Sequence, residues 1–118
     1  MVLRRRHNPW SNRRDEAVAN SMIDAISIAG SAVTAQATNV GVIANNVANA
    51  ETPGYTAQQP QFVAMNPGVT VGAIVDTGQG VDLTNEMVNL ITAKAAYEAA
   101  LNVVTTTQQM SNTLLAAV

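Results

Sequence analysis

His7 is the only histidine in the sequence, and it sits in RRRHNPWSNRR, a stretch with no hydrophobic period. A general base needs a positioned partner and a tuned pKa. A lone histidine among arginines has neither and reads as a solvated side chain. Glu51, Asp76, Asp82, Glu86 and Glu98 are scattered, with no metal-ligand spacing and no histidine or cysteine to complete a set. The chain has no cysteine, which excludes thiol chemistry and disulfides. Gly78-Gln79-Gly80 is too short for a phosphate loop and lacks the lysine that should follow. The five methionines read as packing groups. No enzyme activity, cofactor or metal is expected from this inventory.

The polar residues with the most informative spacing are amides. Asn45, Asn46 and Asn49 crowd the end of a run with helical period, and Thr52-Pro53-Gly54-Tyr55 follows directly. Asn45 and Asn49 are one helical turn apart and share a face. Asparagine can simply end a helix, because it tolerates the left-handed conformation. Three together also suit a second use: amides at or beside a helix seam cost stability but fix register and partner choice. On that reading Asn46→Leu raises helix stability while permitting wrong pairings. Thr-Pro-Gly-Tyr is a type II turn pattern, with proline presetting φ and glycine accepting positive φ. The stretch is therefore expected to be a rigid corner bearing oriented amides.

Two long helices must flank that corner. Met22, Ile26, Ala29, Val33, Gln36, Val40, Ile43 and Val47 alternate steps of four and three, a heptad seam with one polar intruder. Ser21 is a fair N-cap, and the helix is expected over 21–49. Residues 50–81 are broken by prolines and glycines and form a turn and β segment; 68–75, GVTVGAIV, is its best strand. One strand is not stable alone and must find a partner. Asp82 or Thr84 caps a second helix over 82–117, with Glu86 in its first turn. Its expected seam is Leu83, Met87, Leu90, Lys94, Tyr97, Leu101, Val104, Gln108, Ser111, Leu115 and Val118. Met87, Leu90, Tyr97 and Leu101 are the residues expected to carry the packing of this helix. With one Phe, one Trp and two Tyr, the chain has few large groups to fill a compact core. An all-α fold follows, its N- and C-terminal helices paired as an antiparallel coiled-coil hairpin around a short irregular or β segment.

Charge divides the chain differently. All five arginines fall within the first fourteen residues, and Lys94 is the one base after them, against eight acids. Residues 1–20 are expected to be a disordered basic arm. The arm has three readings: a start codon placed upstream of a true first residue at Met22, a solvated extension used in export, or a binder of nucleic acid or an anionic surface with Trp10 stacking. The third gives an alternative function, a small helical adaptor acting through its arm. No membrane span is expected, because Asp24, Gln36, Asn39 and Asn45 interrupt the most apolar stretch. A cleaved signal is disfavoured by Asp15, Glu16 and Asp24, which separate the arginines from a feeble apolar run.

Ile43-Ala44-Asn45-Asn46-Val47-Ala48-Asn49 with Thr52-Pro53-Gly54-Tyr55 resembles the N-terminal motif of bacterial flagellar rod and hook axial proteins. Residues 81–91, VDLTNEMVNLI, with Ala96-Tyr97-Glu98-Ala99 resemble the C-terminal helix of the same family, and strand 68–75 is similar to that of the C-type proximal rod subunits. The resemblance spans about residues 22–118. This chain differs in keeping only Asp76 to Gly80 before the last helix, in Lys94-Ala95 where Gln-Arg is common, in Ala100 where Asn is common, and in its basic arm. The resemblance implies a structural rod subunit with one rod-type domain over 21–118. It implies export unfolded through the flagellar type III apparatus, without a cleaved signal. Terminal helices would pair as a coiled coil, and copies would pack with other rod and hook-basal-body subunits into a tube crossing the periplasm. Small-molecule substrates and nucleic acid are not expected partners.

Overall fold

In a computed structural model, which describes residues 9–117, the chain folds into two long helices with a two-stranded hairpin between them. Helix α1 spans Pro9–Ala48, strand β1 Gln58–Ala64, strand β2 Val69–Asp76 and helix α2 Leu83–Ala116. The molecule is a thin rod of 78 × 22 × 17 Å. Its shape follows from the composition: alanines and valines let helices approach closely but cannot fill a sphere.

Helix α1 begins twelve residues before the expected start at 21. Proline is well placed in a first helical turn, where an N–H would have no partner in any case. Arg13 lies over the Trp10 ring at 4.4 Å, a cation–π contact between residues one turn apart. Residues 12–21 are exposed throughout, so they have no apolar stripe for a heptad reading to find. Residues 10–20 are thus helical, not disordered; Arg4, Arg5, Arg6 and His7 lie outside the described residues, as does Val118. A window within Asn12–Ala48 reaches a mean hydropathy of 1.2, so α1 is long and apolar enough to cross a membrane by length and composition.

The start of α2 faces the end of α1: Asn85, Glu86 and Asn89 line one cleft with Asn39, Val42 and Ile43. The helices therefore run antiparallel, as the seam pattern implied. Asp82 caps α2, its carboxylate accepting from the N–H groups of Thr84 (3.0 Å) and Asn85 (3.2 Å). The seam of α2 differs from expectation by one residue at every second position. Leu90, Tyr97, Val104 and Ser111 are half-buried as expected, but their buried partners are Glu86, Ala93, Ala100 and Thr107. Met87 and Leu101 are 54% and 38% exposed, and do not face α1. The expected seam favoured large side chains; after Glu86 the observed one uses small ones, which bring the two backbones together.

Strand β2 lies within one residue of the expected position, and its partner is β1, which the sequence did not suggest. The two pair antiparallel from Gln58↔Asp76 to Ala64↔Val69. Register shifts by one where Gln61 opposes Ala73 and Phe62 opposes Val71. Gly72 is the extra residue of this bulge. A Cβ there would lie 2.6 Å from Cγ2 of Val63, so any larger residue would force that side chain to shift.

Candidate functional site

Among the described residues Asn46 is the largest side chain to be fully buried, at 1% exposure. Its three hydrogen bonds all leave the helix. Oδ1 accepts from the Gln58 N–H at 2.8 Å and from the Tyr55 hydroxyl at 2.9 Å, while Nδ2 donates to the Gln58 carbonyl at 2.8 Å. One side-chain amide thus pairs with both backbone groups of the first β1 residue, as a neighbouring strand would. The rest of the cluster orients this contact. Asn45 Nδ2 donates to the Tyr55 hydroxyl (3.2 Å). Asn49 Nδ2 donates to the backbone oxygen (2.9 Å) and Oδ1 (3.2 Å) of Asn45, and its Oδ1 accepts from the Thr52 hydroxyl (3.2 Å). The Tyr55 N–H donates to the Thr52 carbonyl at 3.2 Å and Gly54 has φ +77°, as a type II turn at Pro53-Gly54 requires. Asn45, Asn46, Asn49, Thr52, Pro53, Gly54 and Tyr55 therefore form one corner. The polar atoms of Asn46 are spent on Tyr55 and on Gln58 at the start of β1.

The far end of the hairpin is pinned to the same helix. The Ser31 hydroxyl donates to the Ile28 carbonyl (2.7 Å) and accepts from the Val69 N–H (3.1 Å). Gly68, with φ +107°, packs so closely on Ser31 that a Cβ would collide with it. From Asn46 to Ser31 is fifteen helical residues, about 22 Å. The seven residues of β1 span about 23 Å. The strand matches the helix segment it lies along, and both of its ends are fastened. At the open base, Thr56 donates to the Asp76 carboxylate at 2.6 Å and the Gly78 N–H donates to it at 2.8 Å. These bonds, the Thr56 hydroxyl first and the Gly78 amide second, hold the Asp76 pKa below its ordinary value.

Beside the corner, α1, α2 and β1 enclose an open cleft of about 490 Å³. Glu86 lines it and is only 8% exposed. Its Oε2 atom is buried without a hydrogen-bond partner. Asp82 is the other charged residue of the cleft. Neither Glu86 nor Ser31 was singled out as a contact residue from sequence. Strand β1 was missed because QQPQFVA lacks alternation and contains Pro60; the Asn66-Pro67-Gly68 turn signal directly before the β-branched 69–76 run would have pointed to a preceding strand.

The site brings together amides, hydroxyls and a corner, all aimed at the chain's own backbone. It fastens; it presents no nucleophile paired with a base among the described residues. Architecture and corner together give a pair of long helices joined through a rigid, amide-fastened corner, the arrangement that the resemblance to rod and hook axial proteins implies. Two family profiles match the chain: flagella basal body rod protein over residues 26–56, and flagellar basal body rod FlgEFG protein C-terminal over 76–117. It is 32% identical over 124 aligned positions to the flagellar basal-body rod protein FlgC of Yersinia enterocolitica, covering 76% of this chain and 92% of that one. The chain belongs to the flagellar basal-body rod protein family. It is a structural rod subunit of the flagellar basal body, and its assembly partners are rod and basal-body subunits.

Proposed function

We propose that the subunit enters the rod by laying the uncovered faces of its helix pair and hairpin against neighbouring subunits, with the amide corner setting the angle between them. The observation that carries this is the exposure of large apolar groups on an otherwise ordered molecule. Leu83, Met87, Val88 and Ile91 on α2, and Phe62, Val63 and Ile74 on the hairpin, are all exposed, while the intrachain core is largely alanine. Apolar surface in contiguous patches marks interaction sites. Met87 and Leu101 belong to this outer surface, and Leu90 and Tyr97 to the boundary between it and the α1 contact. The finer features follow from the same reading: export unfolded through the flagellar type III apparatus without a cleaved signal, assembly in the periplasm, residues 21–118 as a single rod-type domain, and no catalytic role. Helix α1 is proposed as an assembly helix, because Asn46 and Ser31 on its flank are committed to the hairpin, contacts a lipid-embedded helix would lose. The alternative, a nucleic-acid or anionic-surface binder working through the arm, has only the charge distribution behind it.

Purified basal bodies from a strain lacking the gene, complemented with Met87→Glu plus Ile91→Glu, test the proposal. Truncated rods with normal subunit levels are expected. Full-length rods would show that the exposed α2 face is not an assembly surface. Salt-dependent retention on DNA, lost on deletion of residues 1–20, would favour the arm reading.

A further inference from the structure

We propose that the cleft between α1, α2 and β1 is a socket for an arginine of a second copy of this chain, Arg14 at the N-terminal end of the copy's α1, which pairs with Glu86. The proposal rests on the self-assembly reading above and adds its contact chemistry.

Glu86 presents the problem that the contact solves. A carboxylate that is 8% exposed, with a buried oxygen and no hydrogen-bond partner, is costly. The cleft around it contains amides, including Gln36, Asn39 and Asn89, yet none of them bonds to it. Both charged groups lining the cleft, Asp82 and Glu86, are acidic, and Asp82 is occupied with capping α2. The acidic lining therefore favours a cationic donor, and a guanidinium entering the cleft can bond the carboxylate through its other oxygen.

The chain's own supply of cations says where that donor is. Lys94 lies 3.9 Å from Glu98 on the exposed face of α2. The other bases are the five arginines of the first fourteen residues. Of the two described, Arg13 stacks on Trp10, whereas Arg14 is exposed and makes no ion pair among the described residues. Arg14 cannot reach Glu86 of its own chain: residues 14 and 39 of α1 are twenty-five residues apart, about 38 Å along the axis. The contact must come from another copy. It joins one end of a subunit to the middle of the next, a heterologous contact that propagates into a ring or a filament and does not close a two-fold dimer.

Charge reversal tests the contact directly. Sedimentation velocity on Arg14→Glu and on Glu86→Gln should show association weakened about tenfold or more, with far-UV circular dichroism confirming that both remain helical. Arg14→Glu combined with Glu86→Arg should recover most of the loss. Wild-type association by folded Glu86→Gln overturns the socket. Normal rods in cells carrying Glu86→Gln would also overturn it while leaving the rod-subunit assignment untouched, since that assignment is tested by the outer α2 face.

Discussion

Asn46 and Glu86 are both buried polar residues near the place where α1, α2 and β1 meet, and they are treated in opposite ways. Asn46 makes three hydrogen bonds and leaves no capacity turned outward beyond one amide hydrogen. Glu86, with 8% exposure, keeps a buried oxygen unpaired. A buried polar group stabilises only when satisfied, and costs free energy when it is not. The first residue therefore completes the monomer, and the second leaves it incomplete. For a subunit that functions only in an assembly, the division is useful: the corner must be right before docking, and the cleft needs to be right only afterwards.

The largest expected effect is at the satisfied site. Asn46→Leu leaves the Gln58 N–H and carbonyl and the Tyr55 hydroxyl without their partner. At 1–3 kcal/mol per stranded group, a loss of roughly 3 kcal/mol or more is expected. This reverses the expectation from sequence that leucine would stabilise the helix; a gain of a few tenths in propensity is far smaller than the lost bonds. Urea unfolding read by circular dichroism should show the lower midpoint, and the Gln58 amide should lose its protection from exchange. Asn46→Asp, which keeps the acceptor and loses the donor, should fall between. If leucine matches wild type, the corner is held by the turn alone and the contrast with Glu86 disappears.

Gly54→Val comes next, at about 1–3 kcal/mol. Nothing lies within 4 Å of a Cβ at this position, so the cost is conformational and comes from φ +77°. Gly54→Asn should cost less, because asparagine enters the left-handed region more easily. An equal midpoint for all three would show that the turn relaxes without disturbing Asn46.

The type II turn was legible because Pro53-Gly54 admits few conformations. The helix pair was legible because a seven-residue repeat has few other readings. What stayed hidden was which side of each residue would be used. A seam read from hydrophobicity selects Met87 and Leu101; the fold selects Glu86, Ala93 and Ala100 one position earlier, because close packing rewards small size as much as apolarity. On the reading proposed above, the larger neighbours serve the next subunit, and a sequence does not mark which interface a residue belongs to. The hairpin shows the same limit. Its β1 strand has weak propensity, and its position is set by Asn46 and Ser31, contacts twelve and thirty-eight residues distant in sequence.

At the unsatisfied site the sign should invert. Glu86→Gln removes a buried charge at nearly constant volume, so the monomer should gain stability of order 1 kcal/mol, while assembly declines. A stabilised monomer with impaired rods would sharpen the contrast with Asn46, where stability and assembly should fall together. A destabilised monomer would mean that Glu86 already has its partner within the chain, and the two residues would not differ in kind.

The smallest effect is expected at Asp76, which closes the base of the same hairpin from the solvent side. Its carboxylate accepts from the Thr56 hydroxyl and the Gly78 N–H, and both bonds favour the ionised form, so its pKa in the folded chain is lowered. The sign of the linkage follows. A carboxyl with a depressed folded pKa adds stability above its unfolded pKa, and that contribution is lost as pH falls through the folded value. The acid limb of a stability–pH profile should therefore contain an Asp76 component, near the lower end of the carboxylate range. Thr56→Val removes the larger of its two causes and should shrink that component while leaving stability at neutral pH nearly unchanged, because the group is open to solvent and such bonds are largely screened. The experiment separates burial from bonding. Asp76 accepts from the same kinds of donor as Asn46, a neighbouring hydroxyl and a backbone N–H. If Thr56→Val proves as damaging as Asn46→Leu, bond number and not burial sets the strength of the corner. If its effect is confined to acid pH, the weight of Asn46 comes from its removal from water.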